Sequence, residues 1–248
     1  MLDSFDIAGR VAIVTGGSRG IGRAIALGFA SVGAHVVIAS RKAEACEATV
    51  EEIRTEGGSA LAVPTHVGDI EQLEALVAAT VDQFGQLDIV VNNAANPLAM
   101  PIGSITSDAL AKSLEANLRG PLFLVQAALP HLRQSQHASV INMITAGVFT
   151  HGTYVSMYVA AKSALLSMTR SMAAELAADG IRVNAIAPGT VRTGMVTSMP
   201  EEFQQAAVDS QLIRRMAEPF EMVPGALFLA SDASSFMTGQ TLVLDGGM

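Results

Sequence analysis

The residue pair with the clearest chemical potential is Tyr158 and Lys162, in the segment Tyr158-Val-Ala-Ala-Lys162. Residues i and i+4 share one face of a helix, so the phenol and the ammonium would stand one turn apart. A tyrosine hydroxyl has an ordinary pKa of about 10, too high for acid–base work at neutral pH. A nearby cation favours the phenolate, so we expect Lys162 to lower the pKa of Tyr158. Tyr154, the other tyrosine, has no cation four positions later and is not a candidate.

A packed ring beside a snorkelling lysine has the same spacing, so the pair must be judged with the rest of the chain. The glycine-rich segment Thr15–Gly22 directly follows the apolar run Val11–Val14. Gly16 would allow a sharp turn, Gly20 the approach of a pyrophosphate, and Gly22 close packing of helix on strand. The spacing Gly-x3-Gly-x-Gly is one residue longer than the usual fingerprint. Since any tight turn uses glycine, its place after the first strand of a βαβ unit carries this prediction.

The end of the second predicted strand indicates which dinucleotide binds. An acidic residue there would bind a free ribose 2′-hydroxyl and repel a 2′-phosphate. The chain instead reads Ser40-Arg41-Lys42, with no acid before Glu44. Arg41 offers a bidentate fork to a phosphate, and Arg19 could approach from the glycine turn. This favours NADP(H) over NAD(H). The alternative is that these are solvated charges at a helix start, although cations are unfavourable at that end of a helix.

Apolar runs alternate with helical patterns along the whole chain. Strands are predicted at 11–14, 35–40, 59–66, 88–91, 138–144, 181–187 and 241–244. Helices are predicted at about 21–32, 42–56, 69–84, 106–133, 155–178 and 219–230. This alternation predicts one α/β domain over residues 1–248, a Rossmann fold with a doubly wound, seven-stranded parallel sheet and helices on both faces. The long insertion between the last two strands is expected to form a substrate lid at about 190–217.

Charge and composition exclude several classes of function. The 248 residues carry a net charge of -8, which argues against nucleic acid or an anionic membrane as partner. Half of the residues are hydrophobic and only 15% are charged, so a disordered chain is excluded. The longest uncharged stretches, 89–107 and 140–161, are interrupted by Asn, Pro, Gly, Thr and His, and neither resembles a membrane span.

Cysteine and histidine usage bear on compartment and metals. The single cysteine, Cys46, excludes an internal disulfide and fits a reducing compartment. The start MLDSFDIAGR has no apolar core of a signal peptide, so a cytoplasmic protein is expected. The five histidines show no ligand spacing, and no metal is expected.

Together, five motifs resemble the classical short-chain dehydrogenase/reductase family, in order and at the usual spacing. They are Thr15–Gly22, Asn92-Asn93-Ala94-Ala95, Tyr158-x3-Lys162, Arg182–Gly189 and Leu244–Gly247. Within the family, Ser40-Arg41-Lys42, His66-Val67-Gly68 and Asn93–Pro97 resemble the NADPH-dependent retinol/carbonyl reductase branch. Much of the rest is equally similar to 3-oxoacyl-carrier-protein reductases.

The resemblance implies an oxidoreductase that interconverts a carbonyl and an alcohol by hydride transfer. Tyr158 would then be the acid or base, Lys162 would hold the nicotinamide ribose hydroxyls, and Asn117 would keep a proton-relay water in place. Thr145 stands where the family has its catalytic serine, 13 residues before the tyrosine. The resemblance assigns the following positions to NADP(H): Gly16, Ser18, Arg19, Gly20, Ile21, Gly22, Ser40, Arg41, His66, Val67, Asn93, Ala94, Ala95, Tyr158, Lys162, Pro188, Gly189, Val191 and Thr193.

Three positions depart from the family pattern. Thr145 keeps the hydroxyl, but its methyl group restricts χ1 and narrows the pocket, so we expect activity with an altered rate or substrate shape. His66 replaces an aspartate beside the adenine, whose hydrogen bond must pass to another group or be lost. Ala95 replaces a glycine, a mild change unless that residue needs a positive φ.

Two classes of function remain open on these residues. The first is the NADP(H)-dependent oxidoreductase, with an NAD-preferring alcohol dehydrogenase as its variant. The second is a catalytically silent nucleotide-binding sensor or scaffold. Thr145 in place of the serine supports this second class, and the presence of Asn117, Tyr158 and Lys162 argues against it.

The apolar residues of the lid indicate a small-molecule carbonyl or alcohol substrate with apolar surface, unless they serve as core or subunit contacts. They are Met195, Met199, Leu212 and Ile213, together with Val148 and Phe149. Helices 106–133 and 155–178 match the pair by which family members assemble, so a homotetramer is expected.

Overall fold

A seven-stranded, wholly parallel sheet runs through the computed structural model, which describes residues 2–248. The strands are β1 (Val11–Thr15), β2 (His35–Ser40), β3 (Ser59–Pro64), β4 (Ile89–Asn92), β5 (Ser139–Met143), β6 (Arg182–Pro188) and β7 (Thr241–Leu244). All seven predicted strands are therefore present. Their ends agree with the prediction to within two residues.

Helices cover both faces of the sheet. They are α1 (Gly20–Ser31), α2 (Ala43–Thr55), α3 (Ile70–Phe84), α4 (Ser107–Leu114), α5 (Gly120–Leu132), α6 (Ser156–Leu176), α7 (Gly194–Thr197), α8 (Glu201–Asp209) and α9 (Val223–Ala230). The helix predicted at 106–133 is α4 and α5 joined by a π-helical turn at Glu115–Arg119. The insertion at 190–217 contains the two short helices α7 and α8, which the sequence pattern did not reveal.

Alternate residues of each strand face opposite layers of the core. Ala12 and Val14 pack in the layer that contains Phe29 of α1, whereas Ile13 packs in the layer that contains Leu124 of α5. A parallel sheet covered on both faces needs apolar residues throughout, which explains the few charges of this sequence. Among residues 2–248, no helix is both long and apolar enough to cross a bilayer.

The strand order, β3-β2-β1-β4-β5-β6-β7, reverses between β1 and β4. β1 pairs with β2 on one side and with β4 on the other. The segments that follow β1 and β4 therefore leave the sheet toward opposite faces and open a crevice at its carboxyl edge. Open α/β sheets bind ligands at this point.

A chain of buried polar side chains joins β4 and β5 to α6. Asn92 Nδ2 donates to Asn142 Oδ1 at 2.8 Å, and Asn142 Nδ2 donates to Thr169 Oγ1 at 2.9 Å. Thr169 passes the chain on by donating to the carbonyl of Leu165 at 2.8 Å. None of the first three residues is more than 2% exposed. Each amide depends on its neighbour, because a buried polar group without a partner is costly.

Replacing Asn142 tests this network. Asn142→Ala leaves the buried Asn92 amide without its side-chain partner and Thr169 Oγ1 without its donor, so we expect the free energy of unfolding to fall by about 3 kcal/mol. Urea unfolding followed by far-UV circular dichroism measures the change. Gln136→Ala, which removes an exposed amide, is the control and should change the free energy by less than about 0.5 kcal/mol. Equal effects of the two substitutions would contradict a stabilising network.

Candidate active site

The glycine turn between β1 and α1 has the backbone geometry that its glycines predict. Gly16 and Gly20 adopt left-handed φ angles of 66° and 55°. A Cβ at Gly22 would lie 2.3 Å from Asn93 Nδ2 and 2.4 Å from the Gly16 carbonyl oxygen, so only glycine fits there. The N-cap residue of α1, Arg19, makes no side-chain capping bond. The first N–H groups of α1 are therefore not capped by that side chain, and such groups bind phosphates.

Asn93 braces this turn, a role that the sequence did not reveal. Its Nδ2 donates to the carbonyl of Thr15 at 2.9 Å, and its backbone N–H donates to Thr15 Oγ1 at 3.0 Å. The backbone N–H of Ala94 donates to the same hydroxyl at 3.0 Å. The end of β4 is thus tied to the end of β1. Ala95 has no left-handed φ, since Tyr154 is the only such non-glycine residue within residues 2–248, so the departure at Ala95 is mild.

The carboxyl end of β2 meets the glycine turn through two serines. Ser40 Oγ donates to Ser18 Oγ at 2.8 Å. Arg19 and Arg41 flank this contact along the chain. Both are exposed, and neither guanidinium group forms an ion pair or a hydrogen bond with another residue of 2–248. Two unpaired guanidinium groups thus belong to the end of the site where the sequence predicts a phosphate.

His66 and Val67 follow β3 at the same edge. His66 is exposed, and its Nδ1 accepts a hydrogen bond from the backbone N–H of Gly68 at 3.1 Å. Val67 is partly buried and packs against the core layer that contains Leu124. The imidazole therefore closes its own turn. This local contact accounts for one of its two nitrogens and leaves Nε2 for another partner.

Lys162 lies on α6 and reaches the end of β5. Its side chain is fully buried, and Nζ donates to the carbonyl of Met143 at 2.7 Å. The same Nζ lies 5.9 Å from the centroid of the Tyr158 ring. No Asp or Glu of residues 2–248 forms a salt bridge with it. The predicted pair is therefore together, at a place where the ammonium has one carbonyl partner and no counter-ion.

Burial dominates the acid–base properties of this pair. Burial lowers the pKa of Lys162 to about 7 because the charged ammonium loses its solvation. Burial also raises the pKa of Tyr158 to about 12, because the charged phenolate would lose its solvation. The expectation that Lys162 lowers the pKa of Tyr158 is wrong for this structure. A lysine that is only partly charged at neutral pH attracts the phenolate too weakly to offset its burial. Tyr158 therefore keeps its proton at neutral pH.

Thr145 stands two residues beyond β5, next to the helix that carries Tyr158. Its Oγ1 accepts a hydrogen bond from the backbone N–H of Gly147 at 3.2 Å. A Cβ at Gly147 would lie 3.4 Å from Val159 Cγ2 and 3.5 Å from Thr145 Oγ1. These are ordinary van der Waals distances, so the loop at Gly147 lies against α6. Thr145 is half-buried, and its hydroxyl keeps the capacity to donate a hydrogen bond.

Asn117 lies in the π-helical turn and is fully buried. Its Oδ1 accepts from the backbone N–H of Asn96 at 3.2 Å, and its Nδ2 donates to the carbonyls of Asn96 and Ser113, each at 2.9 Å. The side chain thus anchors the loop that follows β4. That anchoring was not expected from the sequence, and the relay water assigned to Asn117 stays a prediction.

The segment predicted as a lid has its two ends tied together. Gln211, which is 4% exposed, accepts from the backbone N–H of Thr190 at 3.0 Å and donates to the carbonyl of Arg215 at 2.8 Å. Val191 pairs with Ala217 in an isolated β-bridge. The sequence offered no signal for Gln211 beyond its place among apolar residues.

The residues assigned to the nicotinamide end lie at the N-terminal end of this segment. Pro188 ends β6, and a Cβ at Gly189 would lie 2.6 Å from the Cα of Asp245, so Gly189 is required by backbone packing. A Cβ at Gly20 would lie 3.2 Å from the methyl group of Thr193. The lid segment and the glycine turn therefore meet at Thr193.

All loop residues that the sequence assigns to the site lie at the carboxyl edge of the sheet. The segments that follow β1, β3, β4, β5 and β6, and the end of β2, carry these residues, while Asn117, Tyr158 and Lys162 are supplied by helical segments. Among residues 2–248, no three His, Cys, Asp or Glu side chains are grouped as a metal ion would require. The arrangement can hold an anionic dinucleotide along this edge, and it puts the Thr145 hydroxyl and the Tyr158 phenol on neighbouring elements, the loop after β5 and α6.

The chain is similar to known proteins over nearly its whole length. A family model described as enoyl-(acyl carrier protein) reductase matches residues 16–248. The chain is 38% identical over 251 residues to the short chain dehydrogenase/reductase astE of Aspergillus oryzae, covering 98% of this chain and 96% of that protein. It is 36% identical over 244 residues to human dehydrogenase/reductase SDR family member 4, covering 97% and 88%. The crystal structure of a dehydrogenase/reductase from Sinorhizobium meliloti 1021 matches with a TM-score of 0.95 at 32% identity, covering 100% of this chain and 98% of that one.

The buried ammonium makes stability depend on pH. The unfolded chain holds the Lys162 proton up to its ordinary pKa of 10.5, whereas the folded chain holds it only up to about 7. Between these values the unfolded state binds more protons, so the free energy of unfolding rises with pH. Between pH 7 and 9.5 the free energy of unfolding of the wild type should rise by roughly 3 kcal/mol more than that of Lys162→Met. Urea unfolding at each pH measures both proteins.

The same substitution at an exposed lysine is the control. Lys112 is paired with Asp108, which raises its pKa, so Lys112→Met should not change the slope in this window. Parallel pH curves for the wild type and Lys162→Met would contradict the lowered pKa of Lys162.

Proposed function

The chain belongs to the classical short-chain dehydrogenase/reductase family and is an oxidoreductase that acts on a carbonyl/alcohol pair; we propose that its cofactor is NADP(H) and that Tyr158 is its acid–base catalyst. The observation that carries the proposal is the pairing of Tyr158 with the buried, counter-ion-free Lys162 at the sheet edge that also holds the glycine turn. The surrounding structure gives this ammonium one hydrogen bond, to the Met143 carbonyl, and no carboxylate among residues 2–248. A burial this costly fits a group kept for a ligand.

The fit of a dinucleotide is supported by groups that the protein leaves without partners. The first turn of α1 has no side-chain cap, and the position of Gly22 excludes any side chain. Of the three N–H groups of the Lys162 ammonium, one is used by Met143, which leaves two for the ribose hydroxyls. A bound nicotinamide dinucleotide supplies or accepts the hydride.

The residues around Tyr158 then have distinct tasks. The Thr145 hydroxyl orients the substrate oxygen, and Tyr158 protonates that oxygen during reduction or removes its proton during oxidation. Lys162 holds the ribose. Asn117 keeps the relay water in place and anchors the loop after β4 at Asn96. Because burial raises the pKa of Tyr158 to about 12, the phenol starts each reduction protonated, as a proton donor must.

The preference for NADP(H) is supported by the charges at the end of β2. The guanidinium groups of Arg41 and Arg19 have no partner in the described part of the chain, and no carboxylate stands between Ser40 and Glu44 to bind a free 2′-hydroxyl. Two guanidinium groups can together form charge-assisted bonds to a 2′-phosphate.

Three further features complete the proposal. The substrate is a small carbonyl or alcohol with apolar surface, received under the lid at 190–217, where Met195, Leu212 and Ile213 are exposed. The assembly is a homotetramer that uses α4, α5 and α6, and the exposed Leu110 and Leu114 of α4 fit such contacts. The enzyme acts in the cytoplasm, as its single, free cysteine fits a reducing compartment.

Removing the phenol hydroxyl tests the acid. NADPH oxidation at 340 nm is measured with a panel of ketones, quinones and retinal. Tyr158→Phe should lower kcat by about 10³-fold on every reduced substrate, because the proton donor is lost. NADPH affinity, measured by fluorescence titration, should stay within about threefold since the ring remains.

Turnover retained by Tyr158→Phe would refute this assignment. NADPH binding by the wild type without turnover on any carbonyl would favour the silent sensor instead. An enoyl thioester reduced in preference to every carbonyl would show that the reaction acts on a carbon–carbon double bond.

Charge reversal at Arg41 tests the cofactor preference. Arg41→Asp removes the phosphate fork and adds repulsion, so the NADPH/NADH ratio of kcat/KM should fall by about 100-fold. Arg170→Asp makes the same charge change at an exposed position on α6 and serves as the control. An unchanged ratio in Arg41→Asp would place the 2′-phosphate elsewhere or favour an NAD-preferring enzyme.

A further inference from the structure

Tyr154, rejected as a catalytic candidate, has a backbone conformation that needs an explanation. It is the only non-glycine residue within 2–248 with a left-handed φ, at 65°. A bulky side chain in this region is strained, and such strain persists only where the surrounding structure holds it. Backbone strain of this kind is concentrated at ligand-binding and active sites. Tyr154 lies two residues before α6 and four before Tyr158.

Contacts from two other segments hold Tyr154 in place. The backbone N–H of Met100 donates to the Tyr154 carbonyl at 2.7 Å, which links it to the loop after β4 that Asn117 anchors. The ring packs edge-on against Phe203 of α8, with centroids 6.5 Å apart and planes at 74°. Three segments that border the carboxyl edge of the sheet therefore meet at Tyr154: the loop after β4, the loop before α6 and the lid.

The Tyr154–Phe203 pair is a contact surface that the protein itself does not cover. The side chains are 50% and 43% exposed, although burial of aromatic rings is favourable. The Tyr154 hydroxyl has no hydrogen-bond partner in the described part of the chain, so it does not explain why a tyrosine is held there. Edge-to-face rings leave ring surface on which a third aromatic group can stack.

We propose that the Tyr154–Phe203 pair determines substrate specificity by receiving a planar aromatic substituent on the reacting carbonyl carbon. The inference rests on the proposed function, because it needs the carbonyl oxygen at Tyr158 and Thr145. Tyr154 precedes the helix of Tyr158, and Phe203 belongs to the lid, so the pair lies between catalytic helix and lid. The pair therefore selects the substituent, while Tyr158 carries out the proton transfer.

Two ketones of similar size separate aromatic stacking from simple apolar contact. Phenyl methyl ketone and cyclohexyl methyl ketone differ in planarity and π-electrons. The quantity measured is the ratio of their kcat/KM values with NADPH. Because it compares two substrates of one enzyme sample, this ratio does not change with the fraction of folded protein.

Tyr154→Asn tolerates the left-handed backbone and removes the ring, and Phe203→Ala removes the partner. Each should lower the phenyl-to-cyclohexyl ratio by about tenfold, and the double variant by little more, since the two rings act as a unit. Tyr154→Phe should keep the wild-type ratio because the ring remains. Phe236→Ala, which removes a fully exposed aromatic ring outside the site, is the control and should also keep it.

The outcomes separate this inference from the proposed function. An unchanged ratio in both Tyr154→Asn and Phe203→Ala overturns the inference, as does an equal loss on both ketones. Reduction of aliphatic carbonyls but of neither test ketone by the wild type also overturns it while the proposed function stands. Failure of the wild type to reduce any carbonyl overturns the proposed function itself.

Discussion

The hydrogen bond from Lys162 Nζ to the Met143 carbonyl fixes the ammonium at the end of β5, and it can form only if the rest of α6 is held against the sheet. A fully buried ammonium with no carboxylate partner disfavours folding, and burial lowers its pKa to about 7. The group stays in place because α6 is held against β5 by other means. Its apolar residues pack into the core, and Thr169 closes the buried polar chain from Asn142. The position of Tyr158 is thus set by packing along the rest of the same helix.

The parallel sheet determines which segments can share this site. With every strand in the same direction, the loops after β1, β4, β5 and β6 all leave at one edge. Residues far apart in the chain then meet: Asn93 braces the turn at Thr15 and Gly16, and Thr193 lies beside Gly20. The reversal of strand order next to β1 opens the crevice where a ligand enters.

Polar groups in the site fall into two kinds. The structural ones form hydrogen bonds within the protein. Asn92 binds Asn142, and Asn117 binds the backbone of Asn96. Gln211 binds the backbone at both ends of the lid. The others are left incomplete, namely the guanidinium groups of Arg19 and Arg41 and two N–H groups of Lys162. The two guanidinium groups are exposed to solvent, whereas Lys162 is buried, and unused donors of a buried group call for an explanation such as a ligand.

The sequence alone determined the strand and helix order, the glycine turn, the pairing of Tyr158 with Lys162 and the family, because these depend on local periodicity and on residues close in the chain. Only the tertiary structure decided the properties that depend on burial and on distant contacts. It reversed the expected pKa shift of Tyr158, since desolvation is a property of the surroundings and not of spacing. It also gave Asn93 and Asn117 their bracing roles and joined Tyr154 to Phe203, because these partners are brought together by the sheet and the lid, which no local pattern encodes.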